Sequence, residues 1–294
     1  MIALRWDNRT MDRATARPRD RTPARMQRRD TSRMSDIDTQ RPPGRVAAGR
    51  YQDDLRTGIA HALCVHGAGG GAWEWALWRG VFNAHGVECG AIDLQPADGG
   101  PASTGVDDYV AQVRIALTAM PRPRALVGAS LGGLLALACA DDADALVLVN
   151  PLPPTPWASR LPPHTWPDVV RWSTDARLAS TRRALFDSDE ATVIEAMRRW
   201  RDESGRVLRD AHAGLDVEPP RCPVLCIASG RDEDVPPALT AECAFAWSAD
   251  LMRLPEASHV GPLLGREATS TAARVVGWLQ ARRDRSGELR VPPR

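Results

Sequence analysis

A serine hydroxyl is a poor nucleophile at neutral pH. It becomes competent when a base takes its proton and fixed donors receive the charge that develops on the substrate. Ser130 has the sequence context for that role. It lies in Gly128-Ala129-Ser130-Leu131-Gly132, preceded by the apolar run Arg124-Ala125-Leu126-Val127 and followed by helix formers from Gly133 to Ala140. A G-x-S-x-G pattern at a strand-to-helix turn makes the hydroxyl project, and its glycines let strand and helix approach closely. The N–H of Leu131 opens the helix and faces a developing oxyanion. A plain βα turn uses the same small residues, so the rest of the chain must supply the partners.

A base is available in Pro255-Glu256-Ala257-Ser258-His259-Val260-Gly261-Pro262, a loop between the last expected strand and the last amphipathic helix. That places His259 at the carboxyl edge of the sheet, where Ser130 also emerges. The other histidines fall at the wrong end of a strand, at a helix end, in the lid, or, for His66, in a structural turn. An imidazole base needs a carboxylate to orient it and to stabilise its cation. Ser229-Gly230-Arg231-Asp232-Glu233-Asp234-Val235-Pro236 offers Asp232 and Asp234 in another loop at that edge.

The second oxyanion donor is expected from His66-Gly67-Ala68-Gly69-Gly70-Gly71, after the first strand, with Ala68 as the amide and Gly67 beside the substrate. Glycine-rich turns also cradle phosphate. Here the spacing fits neither G-x-x-x-x-G-K nor G-x-G-x-x-G, and the chain contains no lysine.

The elements that must position these residues are strands expected at 61–65, 87–93, 123–129, 144–149, 222–229 and 249–254. Helices are expected at 74–85, 106–120, 131–140, 238–247 and 266–282. Regular alternation of this kind implies a mostly parallel sheet of about six strands with helices on both faces. One interval breaks the rhythm. Residues 151–217 begin with a proline cluster, become helical around 175–186 and 189–204, and carry Trp157, Trp166, Trp172 and Trp200. So long a connection is read as a helical lid over the carboxyl ends of the strands. Trp157, Trp166 and Trp172 are its candidate substrate contacts, against the commoner role of aromatic residues in packing.

Around this core, residues 56–150 and 218–284, the expected tails are a disordered arginine-rich segment over 1–55 and a flexible segment over 285–294. Residues 1–50 hold 13 Arg against 6 Asp, while the whole chain of 294 residues has a formal net charge of only +1. The remainder is therefore mildly acidic, which argues against nucleic acid as a partner. No apolar run is long enough to span a membrane, and no secretory signal opens the chain. The six cysteines fall mostly in apolar runs and read as reduced thiols, the usual state in the cytoplasm. Arginine as the sole basic aliphatic residue suggests a GC-rich bacterial gene. Oligomeric state is left open.

With these motifs assembled, residues 58–284 resemble the α/β-hydrolase superfamily. The resemblance rests on His66 through Trp73, Gly128 through Gly133, the acidic loop ending in Val235-Pro236, and Ser258-His259-Val260. The stretch from His66 through Trp78 to Asp93-Leu94 is most similar to the compact methylesterase and hydroxynitrile lyase branch. In such enzymes the acid stands three residues before the valine of a Val-Pro pair, which selects Asp232 over Asp234. The resemblance implies a Ser130–Asp232–His259 triad, an oxyanion hole from Ala68 and Leu131, and no metal or organic cofactor. The lysine that hydroxynitrile lyases of this branch use in the lid is missing, so that activity is disfavoured.

The expected activity is hydrolysis of a carboxylic ester or thioester of a small, largely apolar substrate through an acyl-enzyme. Alternatives are a thioesterase or acyltransferase on carrier-bound acyl groups, a carbon-carbon bond hydrolase, and a non-catalytic ligand-binding protein on the same fold.

Overall fold

The computed structural model describes residues 58–281; the expected tails over 1–55 and 285–294 lie outside the described residues. In chain order the first half contains β1 (His61–Val65), α1 (Ala76–Ala84), β2 (Glu88–Ile92), α2 (Val106–Thr118), β3 (Arg124–Ala129), α3 (Leu131–Ala138) and β4 (Ala145–Val149). Next come β5 (Val169–Val170), α4 (Trp172–Asp175), α5 (Leu178–Ala184), α6 (Glu190–Arg199), β6 (Glu203–Ser204) and α7 (Gly205–Ala213). The chain then completes its sheet with β7 (Val224–Ser229), α8 (Pro237–Ala246), β8 (Asp250–Leu254), α9 (Gly261–Leu264) and α10 (Ala268–Ala281).

Six strands form one parallel sheet in the order β2-β1-β3-β4-β7-β8. Every residue of β3, β4 and β7 is buried, as expected of strands covered on both faces. Alternate residues of β1 enter opposite cores. Leu63 and Val65 pack with α2 and α3, while Ala62 and Cys64 pack with α1 and α10. From β1 the chain moves outward to β2 and then crosses back to β3, so the strand order reverses between β1 and β3. A crevice opens at such a switch point, at the carboxyl ends of the strands. Register pairs Val65 with Gly128, which sets the turns after β1 and β3 side by side.

The interval between β4 and β7 differs in detail from the sequence expectation. A continuous helix over 189–204 is not formed: α6 stops at Arg199, and residues 203–204 pair antiparallel with 169–170. Ser204 then caps a separate helix, α7, by accepting the Val207 N–H at 3.1 Å. Ser204 starts a helix and does not continue one, because a serine side chain competes for backbone donors and favours an N-cap over a helix interior. The helix expected over 175–186 forms as the shorter α5, with the single turn α4 ahead of it.

Candidate active site

β3 delivers Ser130 into a turn with φ 54 and ψ −118, a left-handed conformation rare for a residue with a side chain. Strain of this kind costs about 1–3 kcal/mol and persists only where the surroundings enforce it. Here they do. The Ser130 N–H donates to the Val149 carbonyl at 2.9 Å, and its own carbonyl accepts from the Gly133 and Leu152 amides, each at 3.0 Å. A Cβ on Gly128 would stand 2.1 Å from the Gly132 oxygen, and one on Gly132 would stand 2.3 Å from the Val65 oxygen. Only glycines allow strand and helix this close.

β7 and β8 deliver the acid and the base. His259 Nδ1 lies 2.7 Å from Asp232 Oδ2, and both side chains are buried. The other carboxylate oxygen of Asp232 accepts the amides of Asp234 at 2.8 Å and Val235 at 2.9 Å. A carboxylate at Nδ1 holds the proton of the neutral ring there and makes Nε2 the basic nitrogen. Side-chain atoms of Asp232, Asp234 and His259 lie within 4.8 Å of one another, as a metal site would require. Both Asp232 oxygens are already engaged, however, and the arrangement suits a stabilised imidazolium better than a cation.

Two further groups hold the histidine loop, and sequence reasoning did not single them out. Asn150, at the end of β4 with φ 43, donates from Nδ2 to the His259 carbonyl at 2.6 Å and to Ser229 Oγ at 2.8 Å. Asp187, from the interval between β4 and β7, accepts the Ser258 amide at 3.0 Å. A strand-end Asn next to proline is the visible signal for the first. Asp187 left none.

The turn after β1 is held as firmly. His66 Nδ1–H donates to the Gly67 carbonyl at 2.7 Å, while Nε2 accepts from the Leu94 amide and from Arg201, both at 3.0 Å. Burial pushes the His66 pKa down to about 4, so the ring is a neutral brace. Arg201 also donates from Nε to the Gly70 carbonyl at 2.7 Å and from its amide to the Gly69 carbonyl at 2.8 Å. Glu203 accepts the Gly69 amide at 3.0 Å and the Tyr109 hydroxyl at 2.8 Å. The turn so fixed lies against the serine, for a Cβ on Gly67 would be 3.2 Å from Ser130 Cβ. Ala68 continues this turn, and Leu131 follows Ser130 as the first residue of α3.

A small cavity of about 20 Å³ is lined by Gly67, Ala68, Glu74, Ala129, Ser130, His259, Val260 and Leu263. The tryptophans of the interval are placed elsewhere. Trp157 packs edge-on against Trp247, and Trp166 stacks on His164 at 3.9 Å and meets Trp172 edge-on. Trp172 lies over the β1 turn, where a Cβ on Gly69 would meet its ring at 2.2 Å.

The serine elbow, the acid and the histidine thus sit at the carboxyl ends of strands of one sheet, and residues 62–276 match the Alpha/beta hydrolase family. The chain belongs to the α/β-hydrolase family. No curated relative matches it in sequence. Among solved structures, this α/β hydrolase is similar to a methylesterase from Arabidopsis at 19% identity, covering 75% of this chain and 100% of the other with a TM-score of 0.58. It is also similar to polyneuridine aldehyde esterase at 18% identity, covering 76% and 99% with a TM-score of 0.59. A pyrethroid hydrolase is similar at 19% identity, covering 77% and 99% with a TM-score of 0.58. At such identities the likeness is one of fold. Among the described residues, no helix of the α/β hydrolase is long and apolar enough to cross a membrane.

Proposed function

We propose that this α/β hydrolase is a serine hydrolase that cleaves a carboxylic ester or thioester of a small, largely apolar substrate through an acyl-enzyme. The observation that carries the reading is the 2.7 Å contact of Asp232 with His259, which lines the same cavity as Ser130. His259 Nε2 takes the Ser130 proton as Oγ attacks the carbonyl carbon, and Asp232 stabilises the imidazolium that forms. The amides of Ala68 and Leu131 receive the oxyanion. Collapse of the tetrahedral intermediate breaks the bond to the leaving oxygen or sulfur, which takes the proton from His259. Water then attacks the acyl-enzyme by the same route and restores the serine. Side chains and backbone amides supply every step.

The shape of the cavity supports a small group beside the reacting carbonyl. The test is intact-mass spectrometry after a fluorophosphonate, on wild type and Ser130→Ala, with turnover of short p-nitrophenyl esters. One adduct on wild type alone, with ester turnover, is expected. An unlabelled but folded wild type overturns the reading and favours a ligand-binding protein.

A further inference from the structure

The wall of the cavity contains one side chain that the serine chemistry does not use. Glu74 sits in a single turn of 3-10 helix, Ala72–Trp75, between two tryptophans, and is 3% exposed. Its carboxyl is pressed against the β1 turn, since a Cβ on Gly70 would lie 2.2 Å from Oε2 and 2.8 Å from Oε1. Among the described residues Oε2 has no hydrogen-bond partner, although it is fully buried. The same cavity wall contains Ser130 and His259.

A buried polar atom without a partner is costly, and native proteins leave few of them. An apolar residue at 74 would fill this position without that cost. Of the cavity walls, Ala68, Ala129, Val260 and Leu263 are apolar, so a carboxyl among them acts on whatever enters. We propose that Glu74 is a specificity residue, donating a hydrogen bond from its carboxyl to an ether, hydroxyl or carbonyl oxygen of the substrate next to the reacting carbonyl. The preferred substrate is then an ester or thioester with an acceptor oxygen one or two atoms from the scissile bond. Hydrocarbon chains of the same length are poorer substrates. This inference rests on the serine-hydrolase reading and narrows its substrate class.

The protonation state agrees with the geometry. Burial pushes the Glu74 pKa up to about 8, so that at neutral pH the group is a carboxylic acid, a donor as well as an acceptor. The Gly71 backbone N–H and the Arg201 guanidinium favour its charged form and Asp93 opposes it, but burial outweighs them; His259 lines the same cavity. His66 is held neutral near pH 7.

The experiment uses matched esters that differ by one oxygen in place of one methylene. p-Nitrophenyl methoxyacetate against p-nitrophenyl butyrate probes the acyl side, and 2-methoxyethyl acetate against butyl acetate probes the alcohol side. The ratio of kcat/KM within each pair is compared among wild type, Glu74→Gln and Glu74→Leu, so that intrinsic reactivity cancels. We expect Glu74→Leu to lower the ratio about tenfold for one pair, the scale of one lost hydrogen bond. Glu74→Gln, which keeps a donor, should hold it within about threefold at neutral pH. Above the Glu74 pKa the wild-type ratio should fall while that of Glu74→Gln stays level, a readout that a purely structural role would not move. Equal ratios in all three proteins at every pH, with wild type still labelled by the fluorophosphonate, overturn this inference alone. Absence of labelling overturns it together with the serine-hydrolase reading.

Discussion

The sheet and the interval between β4 and β7 contribute to the same site in different ways. Each candidate catalytic group follows the end of a parallel strand: Ser130 after β3, Asp232 after β7 and His259 after β8. β3 and β7 are paired on both sides, and the edge strand β8 is paired with β7, so the ends of all three are positioned by the sheet. The interval has strands of two residues and no helix longer than ten. It reaches the site through individual side chains. Arg201, Glu203 and Trp172 hold the β1 turn, and Asp187 holds the histidine loop. The lesson is a division of labour: the sheet sets where the reacting groups stand, and the interval fixes the conformation of the loops that carry them.

The comparison can be broken first at the sheet. Ser130→Ala should leave the circular dichroism and Tm unchanged while lowering kcat by about four orders of magnitude or more; a retained rate would remove Ser130 from the mechanism. Asp232→Asn should cost kcat about 10⁴-fold through the wrong histidine tautomer. The same change at Asp234 should cost far less, and equal losses would deny the distinction drawn from the Asp232–His259 contact.

Changes in the interval should act more gently on rate and more strongly on stability. Glu203→Ala leaves the Gly69 amide and the Tyr109 hydroxyl without their shared acceptor, at about 1–3 kcal/mol for each unsatisfied group. A lower Tm and a kcat reduced by about 10- to 100-fold are expected, because a shifted oxyanion donor costs on that scale. An unchanged kcat in the folded variant would mean that the β1 turn keeps its shape without the interval.

The dependence of stability on pH separates two braces of that turn. For His66, a folded pKa of about 4 against 6.5 means that the unfolded chain binds the proton first as pH falls, so stability drops between those values. For Glu74, a folded pKa of about 8 against 4.5 means that the unfolded chain loses the proton first as pH rises, so stability drops across that window. The opposing slopes overlap and leave a plateau between about pH 4.5 and 6.5, followed by a decline to pH 8. Glu74→Gln should flatten the decline, as read from Tm against pH; a decline that survives assigns it to another group. Smallest of all, Arg182→Ala removes an exposed pair with Glu190 and should leave Tm and turnover where they are.

All six strands of the sheet were legible in the sequence to within two residues, because apolar runs such as Ala145–Val149 are long enough to be nothing else once helices alternate with them. The elbow was legible for a local reason as well: Gly128 is required by its contact with Gly132 where the strand turns into the helix, whereas Gly132 is required by the end of β1. The choice of acid was not a local matter. Asp232 and Asp234 look alike in the chain, and only the resemblance preferred one before the fold brought Asp232 to His259. Least legible were the partners far apart in sequence. Glu203 and Gly69 are separated by 134 positions, Arg201 and His66 by 135, and Asn150 and His259 by 109. Nothing in periodicity or turn chemistry encodes such pairings, and the Glu203-Ser204 pair was read as the end of a helix where it forms a short strand. The sequence by itself determined the sheet, the elbow and the loops that carry an acid and a base. Tertiary structure alone decided which carboxylate meets the histidine, what braces the β1 turn, and that a buried Glu74 lines the same cavity as the serine, because each depends on chain segments that meet only after the sheet has formed.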